Sequence, residues 1–100
     1  MTQDELRALP GGALVLQGLA DLGRGELSTA ALVVCLAPTR LAGLGLRLPE
    51  RATWPADRER ALYEALAGDP KTGDAYYRYN ALKRELDSFM NALEHRRAGG

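Results

Sequence analysis

The feature that most constrains the fold of this chain is a stretch with heptad spacing. It runs without a helix breaker from Asp74 to the C-terminal glycines. Apolar residues recur there at alternating steps of four and three, the a/d pattern of a helix that packs along one face: Ala75, Tyr79, Leu82, Leu86, Phe89 and Leu93. A helix over residues 74–96 is roughly 33 Å long at 1.5 Å per residue. The pattern predicts a long amphipathic C-terminal helix.

The start of this helix has two candidates. Asp69-Pro70 offers an N-cap followed by a proline at the first helical position, and Gly73-Asp74 offers a later N-cap. At the other end, Arg96 and Arg97 lie where the helix dipole favours cations. We expect residues 97–100 to fray.

Composition predicts an all-α fold. Leu and Ala dominate the 46% hydrophobic content and Ile is absent, which favours helices over strands. One hundred residues suffice for one domain with its own core. We therefore predict a single helical domain over residues 1–100, a compact bundle of about four main helices plus short helical turns.

Capping signals and helix breakers divide the rest of the chain. Three helices are predicted in the first part: a short helix capped by Thr2 with Glu5, a helix over Ala13–Leu22 followed by Gly23 as C′ residue, and a central helix from Glu26 or Leu27 to Leu36. Loose helical turns follow over Thr39–Leu46 and a loop over Leu48–Thr53. A further helix is predicted from about Thr53-Trp54-Pro55 to Gly68. A buried strand is the alternative for Leu32–Leu36, but no partner strand is evident.

Charge and cysteine content predict a bacterial protein of the cytoplasm. Thirteen basic residues balance thirteen acidic ones, and Arg greatly outnumbers Lys, as in proteins from GC-rich genomes. The single Cys35 fits a reducing compartment, and the acidic N-terminus does not resemble a signal peptide. The most apolar stretch, Ala30–Ala37, is far shorter than the roughly 20 residues of a membrane span.

No catalytic, cofactor-binding or metal-binding pattern withstands a check of spacing, so we predict no cofactor and no enzymatic activity. In Gly68–Gly73, Pro70 precedes Lys71 where a P-loop needs glycine, and a helix precedes the loop where a P-loop needs a strand. Cys35 lies in an apolar segment far from His95, and one Cys with one His is a poor zinc ligand set.

One region carries a candidate nucleic-acid contact. Arginine side chains can bind phosphates while an aromatic side chain stacks on a base. The residues concerned are Arg40, Arg47, Arg51, Trp54, Arg58 and Arg60. Interleaved carboxylates at Glu50, Asp57 and Glu59 neutralise much of this charge. A helix-turn-helix is disfavoured, because Ala30–Leu36 presents no polar side chain to base edges.

The C-terminal helix is the leading functional candidate. Part of its apolar stripe packs against the other helices of the same chain, and the sequence leaves open whether the rest pairs within one chain or across two. Its length exceeds what a small bundle needs, and tyrosines are common at interfaces, which favours a shared seam slightly. Predicted protein-contacting residues are Tyr76, Tyr79, Leu82, Leu86, Phe89, Met90 and Leu93. We expect a non-enzymatic interaction module, acting as a homodimer or as a small subunit of a larger assembly, with a nucleic-acid-associated protein as the alternative. An enzyme with a site assembled between subunits is a third hypothesis.

Overall fold

The chain forms a helical bundle in a computed structural model that describes residues 2–49 and 54–99. These residues form six helices and no strand: α1 (Gln3–Ala8), α2 (Gly12–Gly23), α3 (Thr29–Val34), α4 (Pro38–Gly43), α5 (Arg58–Ala67) and α6 (Ala75–Gly99). The predicted all-α fold with a long C-terminal helix is confirmed. The bundle measures 42 × 28 × 20 Å, and its radius of gyration, 13.3 Å, is close to the ~13 Å expected for a compact chain of this length.

Side-chain caps determine where four of the helices begin. In each case the oxygen of the capping side chain accepts a backbone N–H three residues later, which satisfies one of the free donors of the first turn. The pairs are Thr2 with Glu5 (3.2 Å), Ser28 with Ala31 (3.1 Å), Asp57 with Arg60 (3.1 Å) and Asp74 with Tyr77 (3.1 Å). The cap at Asp74, rather than the one at Asp69, therefore starts α6.

Two predicted helix starts were too early. The central helix begins at Thr29 and not at Glu26 or Leu27, because Ser28 supplies its cap. The fifth helix begins at Arg58 and not near Trp54-Pro55, because Asp57 caps it. The predicted loop over Leu48–Thr53 lies largely outside the described residues.

The turn between α2 and α3 also differs from the prediction. Gly23 is the last residue of α2 and does not adopt the left-handed conformation expected of a C′ glycine. Gly25, two residues later, has a φ of 75° and makes that reversal instead. At the C-terminus of the chain, α6 continues through Gly99, so helical geometry extends over residues that we expected to fray.

The core lies where α2, α3, α5 and α6 meet. α3 packs against α2 and α5, while α6 packs across α2, α3 and α5. Ala31, Val33, Val34 and Cys35 are completely buried, as the position of a central helix requires. Leu27 is 44% exposed, since it precedes the helix and does not enter the core.

Candidate functional site

The apolar stripe of α6 belongs to the core of this same chain. Its residues are at most 3% exposed: Leu82, Leu86, Phe89, Met90 and Leu93. The sequence predicts these five side chains as partner contacts, and in the structure they are buried in the core cluster of their own chain, where α6 packs against α2, α3 and α5. A heptad seam has the same sequence pattern whether the covering helices come from its own chain or from another.

Tyrosines remain at the surface beside this buried stripe. Tyr76 and Tyr77 are each 68% exposed, the largest fractions among the exposed large hydrophobic residues of the described chain. They line a shallow concavity of about 570 Å³ with Asp74, Asn80, Lys83, Arg84 and Asp87. We call this surface the tyrosine face. It lies on the N-terminal half of α6, and only Tyr76 among its residues was predicted as a contact.

Tyr79 has a structural role next to the tyrosine face. Its ring meets the ring of Tyr63 on α5 edge-to-face, with centroids 6.1 Å apart and planes at 66°. The Lys83 ammonium lies 5.3 Å from the centroid of the Tyr79 ring. Edge-to-face packing and cation–π contact both stabilise such arrangements. Tyr79 therefore joins α5 to α6, and Tyr63, which sequence reasoning did not single out, is its partner.

The backbone under the tyrosine face is held in place. Asp74 caps the first turn through the N–H of Tyr77, and the Asn80 side chain donates from Nδ2 to the carbonyl oxygen of Tyr76 at 3.0 Å. Both contacts fall in the part of α6 that carries the exposed rings. The face is therefore presented by an ordered helix rather than by a loop.

The arginines of the candidate nucleic-acid region are engaged with different parts of the fold. Arg40 on α4 bonds to Asn91 and Glu94 of α6, at 2.8 and 2.9 Å. Arg60 bonds to Glu64 within α5, at 2.9 Å, and this carboxylate raises the pKa of the guanidinium. Two of the predicted phosphate-binding groups thus already have carboxylate partners.

The remaining residues of that set do not complete a patch. The Arg58 guanidinium lies 5.3 Å from the centroid of the half-buried Trp54 ring, and its Nε is buried without a hydrogen-bond acceptor among the described residues. Arg47 is exposed beside α1 and α2, and Arg51 lies outside the described residues. The guanidinium occupies one face of the ring, so that face is not open for stacking on a base.

Cys35 has the environment of a core residue. Its side chain is fully buried, and this burial raises the pKa of the thiol, although the nearby Arg58 charge acts in the opposite direction. A thiol with a raised pKa is a poor nucleophile. His95 is exposed on α6. Within residues 2–49 and 54–99, no group of three His, Cys, Asp or Glu side chains could hold a metal ion, and no helix is long and apolar enough to cross a membrane.

The Gly68–Gly73 segment is a turn between helices. Asp69 accepts the backbone N–H of Lys71 on Oδ1 at 2.9 Å, and its carbonyl accepts the N–H of Thr72 at 3.1 Å. A phosphate cradle needs such N–H groups free to point at the ligand. In this turn the N–H groups of Lys71 and Thr72 already donate to Asp69 and are not free to bind a phosphate.

Asp21 is the one buried charged residue of the described chain, and sequence reasoning missed it. The residue is 5% exposed, and its carboxylate accepts hydrogen bonds from Gln17 Nε2 at 2.8 Å, from Ser28 Oγ at 2.5 Å and from the Arg24 guanidinium. The hydrogen bonds from Ser28 and Gln17 are the main reasons that its pKa is lowered. Ser28 in turn caps α3, so this cluster fixes the turn between α2 and α3.

Replacing Asp21 with asparagine is expected to lower the Tm at pH 7 by about 5 °C or more, since the amide oxygen cannot accept hydrogen bonds from all three donors.

The stability of the fold should also depend on pH through Asp21. Its lowered pKa means that the folded state prefers the carboxylate, so the stabilisation is present above the unfolded-state pKa of about 3.9 and is lost as the pH falls through the folded-state pKa. Thermal unfolding between pH 2 and 7, followed by circular dichroism, measures both effects. Glu85→Gln, at an exposed site on α6 outside the tyrosine face, is the control. Equal Tm values for the two variants would contradict the assignment.

We found no similar protein for this chain in three comparisons. No protein-family model matches the chain, and searches of curated proteins and of solved structures found no match.

Proposed function

We propose that this protein is a non-enzymatic interaction module that associates through the tyrosine face, as a homodimer or as a small subunit of a larger assembly. The exposure of Tyr76 and Tyr77 on an ordered helix carries the proposal. The apolar stripe of the same helix is already covered by the chain itself. Association therefore depends on the other side of α6, where large aromatic side chains stand in solvent.

The chemistry of the tyrosine face suits a protein partner. Tyrosine offers a large apolar area with few rotatable bonds and a hydroxyl that can bond at a wet interface, and it is enriched in binding hot spots. Asn80, Lys83, Arg84 and Asp87 surround the rings with donors and acceptors, as in the polar rim of an interface. The shallow shape of the concavity suits a protein surface better than a small substrate, which needs a deeper cleft.

A second copy of the chain is the partner that the charges favour. The tyrosine face carries two aspartates, one lysine and one arginine, so its formal charge is zero. A two-fold interface places one patch against an identical patch, and a patch of one sign would repel itself. A balanced patch allows opposite charges to meet across the axis.

Light scattering after size exclusion tests the dimer. We expect the wild type to be dimeric at tens of micromolar, and a Tyr76→Glu, Tyr77→Glu double variant to be monomeric with unchanged helicity by circular dichroism. Leu27→Glu is the matched control, because it also places a carboxylate at an exposed apolar site but lies outside α6. It should leave the mass unchanged.

A monomeric wild type that also recovers no specific partner through the tyrosine face would count against the whole proposal. Recovery of a partner by the wild type and not by the tyrosine double variant would support the subunit form of it. A charge at Leu86 cannot serve as this test, because Leu86 is buried and its replacement by aspartate would disrupt folding.

The nucleic-acid hypothesis stays a prediction. Arg40 and Arg60 have carboxylate partners and Arg58 covers Trp54, so no observation favours that function over association. A mobility shift at low salt that Arg58→Ala weakens would revive it.

A further inference from the structure

A leucine-lined groove lies at the end of α6 opposite the tyrosine face. It consists of two adjoining cavities of about 530 and 540 Å³ that share Leu6 and Leu46 as lining residues. Its half-buried apolar surface comes from α2 and the segment after α4: Leu16, Leu19, Leu44 and Leu46. The buried core residues Leu6 and Leu93 also line it. We call this surface the leucine groove.

Arginines surround the leucine groove with an excess of positive charge. Arg7, Arg47, Arg96 and Arg97 line its two cavities, and Glu5 is the single carboxylate among the lining residues. Arg7 pairs with Asp4 at 3.2 Å and Arg96 with Glu5 at 3.5 Å, while Arg97 donates to the carbonyl oxygen of Gly43 at 3.4 Å. These exposed ion pairs are weak and exchange readily with a new anion.

Arg47 is the best placed of these cations to meet a ligand. It is exposed, it lines the cavity beside α1 and α2, and it has no hydrogen bond or ion pair with any other described residue. The whole chain has a formal net charge of zero, so this concentration of arginines is local. Local positive charge beside apolar surface selects a ligand that is both acidic and apolar.

We propose that the leucine groove binds an acidic amphipathic helix of a partner protein, with its apolar side chains on the leucines and its carboxylates on Arg47 and the neighbouring arginines. An amphipathic helix presents apolar residues at i, i+3, i+4 and i+7 and keeps its charges at the edges of that stripe. Nucleic acid fits less well, because none of the lining residues is aromatic and bases would have no ring on which to stack.

Fluorescence anisotropy at low salt tests the proposal with a designed, end-capped, labelled peptide of about four helical turns, with leucines on one face and glutamates elsewhere. Two matched peptides replace every glutamate by lysine or every leucine by alanine. We expect the glutamate–leucine peptide to bind with saturation, and both matched peptides to bind at least about tenfold more weakly. Failure of the glutamate–leucine peptide to saturate at hundreds of micromolar would overturn the proposal.

A charge reversal locates the site. Arg47→Glu should weaken the glutamate–leucine peptide about fivefold and should strengthen the lysine peptide by a similar factor. Arg78→Glu, at an exposed position on the N-terminal half of α6, is the matched control and should change neither affinity. Equal effects of the two reversals would mean that only the net charge matters, and would overturn the site. The proposal would also be overturned if single-stranded DNA displaced the peptide with the same dependence on Arg47, because that result would identify a phosphate ligand.

Discussion

Replacing Gly18 with alanine is expected to lower the free energy of unfolding by about 1–3 kcal/mol, because the backbones of α2 and α3 are in contact there. A Cβ at this position would lie 2.8 Å from the carbonyl carbon of Ala30, closer still to its oxygen, and 2.5 Å from Cγ2 of Val34. The Ala30 atoms belong to a helix backbone and cannot rotate away. The two helices would have to separate.

The sign of this effect depends on two opposing terms. Alanine stabilises a helix interior by roughly 0.5–1 kcal/mol relative to glycine. That gain is smaller than the cost of separating two packed helices, so the clash decides the outcome. Gly18 is therefore required by packing and not by any unusual backbone conformation, since its φ is not positive.

Gly23→Ala is the matched control within the same helix. A Cβ built on Gly23 meets no atom within 4 Å, so this change should be neutral or slightly stabilising. Urea unfolding of the wild type and the two variants, followed by circular dichroism, measures both effects. Equal stability of the Gly18 and Gly23 variants would show that α2 and α3 do not approach as closely as the structure describes.

Phe89→Ala is expected to cost about 3–5 kcal/mol, which is the usual range for removing a buried aromatic ring. Phe89 is completely buried on the inner face of α6, where that helix packs across α2 and α3. Domains of this size are stable by only about 5–15 kcal/mol, so the variant loses a large share of its stability.

Two further variants keep this prediction measurable. Phe89→Leu retains most of the apolar volume and should unfold reversibly even if Phe89→Ala does not fold, at a cost of about 1–2 kcal/mol. Tyr77→Ala removes an exposed ring from the same helix and, at a protein concentration well below that of the proposed dimer, should change stability by less than about 0.5 kcal/mol. A Phe89→Leu variant as stable as the wild type would contradict the burial of the ring.

The sequence predicted α6 well and the ends of the other helices less well. The heptad spacing of Leu82, Leu86 and Phe89 is a regular, long signal, and periodicity of that kind is reliable. The starts of α3 and α5 depended on single caps at Ser28 and Asp57, which compete with nearby residues of similar propensity. Apolar periodicity could not show whether the partner of α6 came from this chain or another, because both give the same pattern.

The candidate surfaces were predictable only in part. The exposed tyrosines stand out in the sequence, although only burial separates Tyr76, in solvent, from Tyr79, which packs on Tyr63. The leucine groove was not predictable, since Leu6, Leu46 and Leu93 are far apart along the chain and meet only through the topology. The hydrogen-bond cluster of Asp21 was not predictable either, because Asp21 and Ser28 meet only once the turn between α2 and α3 has formed.

The burial of the α6 stripe within one chain separates folding from association. Obligate dimers that share such a stripe between chains often have no stable folded monomer, and their melting temperature rises with protein concentration. Here the stripe is buried within one chain, so folding does not require a second copy and the melting temperature of the monomer should not depend on concentration. The association that we propose through the tyrosine face would then follow the supply and affinity of a partner without deciding whether the chain folds.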